Sequence, residues 1–170
     1  PQGTRLFGKV SNLTDYGAVG YSTANGSGEI NGPVKFSFKA GVGIKTWADG
    51  SPWVGNIATS FPYLSNETTA SIGLEPGHRG HSNFSKEQFT AISRGYASEG
   101  WQLAVHAHGD LAIDMVLDAW ESIITDLGLV DHRFRLEHVG AMTAAQFQRA
   151  ASLGITASVF VDHLYYWGDV

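Results

Sequence analysis

Hydrophobic and polar positions change period several times along the chain, and each change marks a predicted element. Val34-Lys35-Phe36-Ser37-Phe38-Lys39 alternates apolar and polar residues, and after Ala40-Gly41 a second run, Val42-Gly43-Ile44-Lys45-Thr46-Trp47, leads into Ala48-Asp49-Gly50-Ser51-Pro52. That alternation predicts a strand ending near Lys45, then a turn. Ser85-Lys86-Glu87-Gln88 has the form of a capping box, and Phe89, Ile92 and Tyr96 follow at helical spacing until Gly100. Trp101 to Ala107 is a short apolar strand. Beyond His108-Gly109, Asp110 is the expected N-cap of a helix whose apolar face is Ile113, Val116, Leu117, Trp120, Ile124 and Leu127, closed by Gly128. The unit then repeats, with a strand from Phe134 to His138, a helix from Thr143 to Leu153 and a strand from Ile155 to Phe160.

Strands that alternate with helices across short connections imply a parallel sheet covered by helices. An open doubly wound sheet and a closed eight-stranded barrel both satisfy this grammar. Residues 1–32 are rich in Gly, Ser, Thr and Asn and read as an irregular lead-in, with βα repeats over residues 33–170 of one domain. Between Ser51 and Asn83 lies a long connection with no clear helix, of the kind that is usually functional or disordered. One strand is internally awkward. If His138 points inward, Phe134 and Leu136 share its face, and Arg133, Arg135 and Glu137 are left against the helix layer. Either a bulge near the strand end or an Arg135/Glu137 pair at the rim would resolve this, and the sequence does not choose.

Composition adds limits. At 170 residues, 43% hydrophobic and 16% charged, the chain can bury a core and lacks the polarity of a disordered segment. A net charge of −5 without any Lys/Arg run gives no footprint for nucleic acid or an anionic membrane surface. No apolar run is long enough for a membrane span. Cysteine is absent, which excludes disulfides, thiolate zinc sites and cysteine nucleophiles, so any metal must be held by nitrogen and oxygen. The start, Pro1-Gln2-Gly3, has neither an initiator Met nor a signal-peptide layout, and the natural N-terminus is expected elsewhere. The compartment stays open, with the cytoplasm as the default.

Lys45, His106, His138 and His163 each fall at or just beyond the C-terminal end of a predicted strand, about one βα unit apart from His106 onward. In a barrel, consecutive strand ends stand around one mouth, so these side chains would converge there. Imidazole suits zinc and related divalent ions, which lower the pKa of a coordinated water. His106-Ala107-His108 also forms an H-x-H pair. Because Gly109-Asp110 must turn the chain at once, His108 is expected in the loop, lining the pocket. His78, His81 and His132 sit in loops without partners at strand spacing and read as ordinary structural residues. An ammonium beside metal-binding imidazoles would be repelled, whereas a carbamylated Lys45 would offer two anionic oxygens. The alternatives are a plain surface lysine or a pair with Asp49. Trp53, Phe61, Tyr63, Tyr165, Tyr166 and Trp167 could line an apolar pocket or simply pack.

Three segments together resemble the amidohydrolase superfamily, specifically the amidohydrolase-3 group that includes N-substituted formamide deformylases. They are Ile44-Lys45-Thr46-Trp47-Ala48-Asp49-Gly50-Ser51, Val105-His106-Ala107-His108-Gly109-Asp110, and Arg135-Leu136-Glu137-His138 with the stretch from Ala157 through His163 to Asp169. The resemblance implies a TIM-type (β/α)8 barrel of which this α/β chain forms about half. It implies Lys45 as a carboxylated bridging ligand, His106 and His138 as ligands of a second metal, and His163 facing the substrate. A divalent metal, zinc being the commonest choice, would activate a hydroxide for attack on a small-molecule amide-type C–N bond other than a peptide bond. His163 or His108 could then hydrogen-bond the developing oxyanion.

Members of that group also need an H-x-H pair before Lys45 and a catalytic Asp well after Val170, and this chain has neither. It is therefore expected to be an internal, catalytically incomplete piece, inactive alone and prone to self-association through open sheet edges. The competing expectation is a non-catalytic α/β domain that binds a ligand or partner and keeps relic metal residues.

Overall fold

A computed structural model describes residues 5–8 and 42–162 of the chain. The strand predicted over residues 34–39, and His163, Tyr165, Tyr166 and Trp167, lie outside them. Five strands form one sheet in chain order: β1 (Arg5–Gly8), β2 (Val42–Trp47), β3 (Gln102–Ala107), β4 (Arg135–His138) and β5 (Thr156–Val159). β1 runs antiparallel to β2, and β2 through β5 are parallel. A short strand thus stands inside the lead-in read as irregular. β2 also continues to Trp47, two residues past the expected end.

Helices connect the parallel strands, α2 (Lys86–Ser98) between β2 and β3, α3 (Asp110–Leu127) between β3 and β4, and α4 (Ala144–Ser152) between β4 and β5. The predicted capping box at Ser85 holds, and a second one stands at Thr143. Ser85 and Gln88 form a reciprocal capping box at α2, and Thr143 and Gln146 form another at α4, each satisfying two otherwise orphaned backbone N–H groups. Gln146 further donates to the Asp110 carbonyl and the Asp114 carboxylate, which ties α4 to the start of α3.

The helices cover one face of the sheet. Leu103, Val105 and Ala107, alternate residues of β3, are buried with Ala112, Ile113, Val116, Leu117, Ala119, Trp120 and Ile123 of α3. Trp120 is the hub, its ring centroid 6.3 Å from Phe89 of α2 and 5.0 Å from Phe134 beside β4. Its indole N–H points to Ser93 Oγ at 3.4 Å. Residues of the other parity, Lys45 and Trp47 on β2 and Ala104 and His106 on β3, share the opposite face, since Lys45 lies in register with Ala104 and Trp47 with His106.

Two sequence expectations need correction. The N-cap of α3 is Gly109, which makes no side-chain cap, and Asp110 is the first helical residue. The Asp110 carboxylate instead accepts from Ser60 N at 2.8 Å and Ser60 Oγ at 2.5 Å, while Arg79 donates to the Ser60 carbonyl. This fastens the long connection to the helix start. That connection also contains a 3₁₀ turn (Pro52–Val54) and a short helix, α1 (Glu67–Ser71), capped reciprocally by Asn66 and Thr69. α1 buries no residue, so there is no apolar period by which to see it. Among the described residues no helix is long and apolar enough to cross a membrane.

Candidate metal centre

β3 ends at Ala107, with His106 on the helix-free face and His108 in the loop beyond. The side chain of His106 is 12% exposed, and its Nε2 lies 2.8 Å from the Gly50 carbonyl oxygen. A carbonyl only accepts, so Nε2 carries the proton and Nδ1 is left as the ring's lone-pair donor. This is the arrangement by which a backbone oxygen fixes the tautomer of a metal-binding imidazole.

His138 reaches the same place by a different route. β4 pairs with β3 so that Glu137 lies opposite His106 and His138 opposite Ala107. Strict alternation would send His138 towards the helices. Instead its φ is 75° and that of Val139 is 50°, both left-handed. The twist turns the imidazole onto His106, with ring centroids 4.8 Å apart at 65°. Pairing survives beyond it, since Val139 N donates to the Ala107 carbonyl and Ala141 N to the His108 carbonyl. The awkward strand is thereby resolved without a bulge. Phe134 and Leu136 are buried in the core, and Arg135 and Glu137 pair at 2.6 Å on the other face.

His108 completes a cluster of three imidazoles. Its ring stacks on His138 at 5.3 Å and 10°, and meets His106 edge-on at 4.7 Å. Gly140 makes room for it, because a Cβ there would stand 2.7 Å from His108 Nδ1. Lys45 shares the face of His106, and its Nζ lies 5.6 Å over the Trp47 ring, which is itself 6.4 Å from His106. His163 lies outside the described residues. His78 and His132 are placed structurally, their Nε2 atoms 2.8 Å from the Gly55 carbonyl and 2.9 Å from the Leu153 carbonyl.

Beneath the cluster sits Asp49, which the sequence suggested only as a turn residue or a partner for Lys45. It is wholly buried and accepts from the N–H groups of Ala58 at 3.1 Å, His108 at 2.9 Å and Gly109 at 2.7 Å. Its Oδ1 is 3.9 Å from His106 Nε2. Burial pushes the carboxyl pKa up, against the opposing pull of the three N–H donors and of His106. One carboxylate thus joins the end of β2, the long connection and the turn after β3. The close approach requires Gly109, where a Cβ would fall 2.0 Å from the Ala58 carbonyl oxygen.

A pocket of about 510 Å³ opens beside His108 and His138. Trp53 and Tyr63, two of the aromatic candidates, line it, and Phe61 does not. Ile57, Leu64, Ile72, Val159 and Phe160 also line it, and no periodicity in the sequence marks the first three. Burial pushes the Tyr63 phenol pKa up, and its oxygen accepts from Ile57 N at 3.3 Å.

In kind, the donors fit a divalent metal: neighbouring imidazoles on adjacent strands, one of them held in a defined tautomer by a backbone carbonyl. In number they fit only part of a site, since no group of three or more His, Asp or Glu among the described residues is placed to hold an ion.

Comparison with known proteins points the same way. A family model described as "Amidohydrolase family" matches residues 39–169. Over 122 residues, 72% of this chain and 19% of the relative, the chain is 34% identical to Protein LONG AFTER FAR-RED 3 of Arabidopsis thaliana. It is 34% identical over 93 residues to N-substituted formamide deformylase of Arthrobacter pascens, covering 55% of this chain and 17% of that protein. The crystal structure of an uncharacterized metal-dependent hydrolase from Pyrococcus horikoshii OT3 superposes with a TM-score of 0.55 at 28% identity, over 71% of this chain and 21% of that one. Its counterpart from Pyrococcus furiosus gives 0.56 at 26% identity, over 72% and 23%. The chain spans about a fifth of the length of these relatives. Its four parallel strands and intervening helices are part of an α/β barrel, and the chain belongs to the amidohydrolase family.

Proposed function

We propose that the full-length protein is a metal-dependent hydrolase of amide-type C–N bonds other than peptide bonds, and that the described chain holds part of its active site. The observation that carries this reading is the convergence of His106 and His138 from adjacent strands, the second by a left-handed backbone. Similarity to N-substituted formamide deformylase supports the amide class. The relatives are several times longer than this chain, so the activity is assigned to the whole protein and not to the isolated piece.

In this reading Lys45, as a carbamate, and the imidazoles of His106 and His138 would hold a divalent metal, zinc being the commonest choice for nitrogen and oxygen donors in a hydrolase. When bound, the metal supplies Lewis acidity and brings the pKa of a water down to about 7. The chain's own contribution is placement. Gly50 fixes the His106 tautomer and Asp49 anchors the backbone of His108 and Gly109. His108 lines the pocket, and it or His163 would donate to the oxyanion that develops on the carbonyl. The test is to hydrolyse simple N-substituted amides with the full-length protein before chelation, after it, and after zinc is restored. Loss and recovery of the rate are expected. A rate that survives complete metal removal would contradict the proposal.

A further inference from the structure

The pocket beside the histidine cluster has a chemical character of its own. Its volume of about 510 Å³ lies within the ordinary range for small-molecule sites. None of the described residues lining it is Asp, Glu, Lys or Arg. Three of the polar side chains that line it are engaged within the protein. Asn66 Oδ1 accepts from Thr69 N at 3.0 Å, and Thr69 Oγ1 donates to the Leu64 carbonyl at 2.6 Å. Tyr63 Oη is engaged by Ile57 N. By contrast, large apolar side chains, Leu64, Ile72, Phe160 and Trp53 among them, make up much of its wall.

We infer that this pocket takes a neutral apolar substituent of the substrate, aromatic or branched aliphatic, while the scissile amide lies at His108 and His138. Trp53, Tyr63, Leu64, Ile72 and Phe160 are the residues that set this preference. Phe160 marks the junction, its ring centroid 5.9 Å from that of His138. A carboxylate or ammonium on the substituent would lose its hydration and gain no counter-charge from these walls. The inference rests on the hydrolytic reading of the same site and adds the substrate class.

The experiment measures binding to the metal-free full-length protein by calorimetry, with N-benzylacetamide and N-(carboxymethyl)acetamide as probes. Ile72→Asp and Leu64→Asp are the variants, each checked for native folding by circular dichroism, and both are exposed among the described residues. The benzyl probe is expected to bind about tenfold or more tightly than the carboxymethyl one, and either variant to erase most of that difference. Equal affinity for the two probes, or variants that leave the ratio unchanged, would overturn the inference. Hydrolysis of both probes by the metal-loaded protein is followed in parallel. Selective binding without hydrolysis upholds the apolar pocket and removes the hydrolase reading. Hydrolysis of both probes at equal kcat/KM does the reverse.

Discussion

His138 is brought onto His106 by its backbone conformation and against its strand register. With regular β geometry its ring would face the helix layer, in line with Ala107. The φ of 75° re-aims it, and Val139 follows at 50°. Left-handed backbone at non-glycine residues costs on the order of 1–3 kcal/mol each and gathers at functional sites. Here the cost places two imidazoles within 4.8 Å of each other.

The first prediction concerns that cost. His138→Gly and His138→Ala both delete the imidazole, but only glycine adopts φ of 75° without penalty. The glycine variant should be the more stable by about 1 kcal/mol, read from urea unfolding midpoints. An alanine variant at least as stable would argue that the backbone relaxes once the ring is gone.

Asp49 should matter to the fold as much as to the site. Replacing it with Ala leaves the buried N–H groups of Ala58, His108 and Gly109 without their carboxylate acceptor. A loss of about 3 kcal/mol is expected. Hydrogen exchange should localise the loosening to the turn after β3 and the facing part of the long connection. Uniform loosening across the sheet would not fit a local clasp.

Trp120→Ala removes the ring that joins α2, α3 and β4. The cavity should cost about 3–5 kcal/mol, measured by chemical denaturation. Trp120→Phe, which keeps the aromatic contacts and loses the long indole N–H contact to Ser93, should cost distinctly less.

What could be read from the chain without coordinates followed the periodic parts of it. The capping box at Ser85 and the alternation of strand and helix are legible because each is a local pattern. The positions of His106 and His138 at the ends of β3 and β4 are legible in the same way, whereas β2 runs two residues beyond Lys45. What escaped depends on partners distant in sequence or on backbone twist. Asp110 looked like a cap, but Ser60, brought in from the long connection, claims its carboxylate. The direction of His138 was ambiguous because alternation cannot anticipate a left-handed residue. Ile57, Leu64 and Ile72 carry no period, and only the folded connection brings them to one cavity. Asp49 reads as part of a D-G turn, while its burial under the histidines depends on contacts distant in sequence.

A pH effect follows from Asp118, which lies between Lys86 of α2 and Arg149 of α4 at 2.7 Å from each. Hydrogen bonding from Lys86, then from Arg149, holds its carboxyl below the usual value of 3.8. A folded pKa below the unfolded one stabilises the fold above pH 3.8, and that share is lost as pH falls through the folded value. Both partners are substantially exposed, so the share is about 1 kcal/mol or less. The stability gap between the parent protein and Asp118→Asn should therefore be present at neutral pH and close below 3.8. A gap that persists in acid would mean the asparagine disturbs packing.

Metal content of the full-length protein, compared among the parent, His106→Ala, His138→Ala and the control His132→Ala, bears most directly on the central claim. Elemental analysis after dialysis should show bound divalent metal in the parent and the control, and a deficit in the other two. Equal metal in all four proteins would contradict the assignment of the converging pair as ligands.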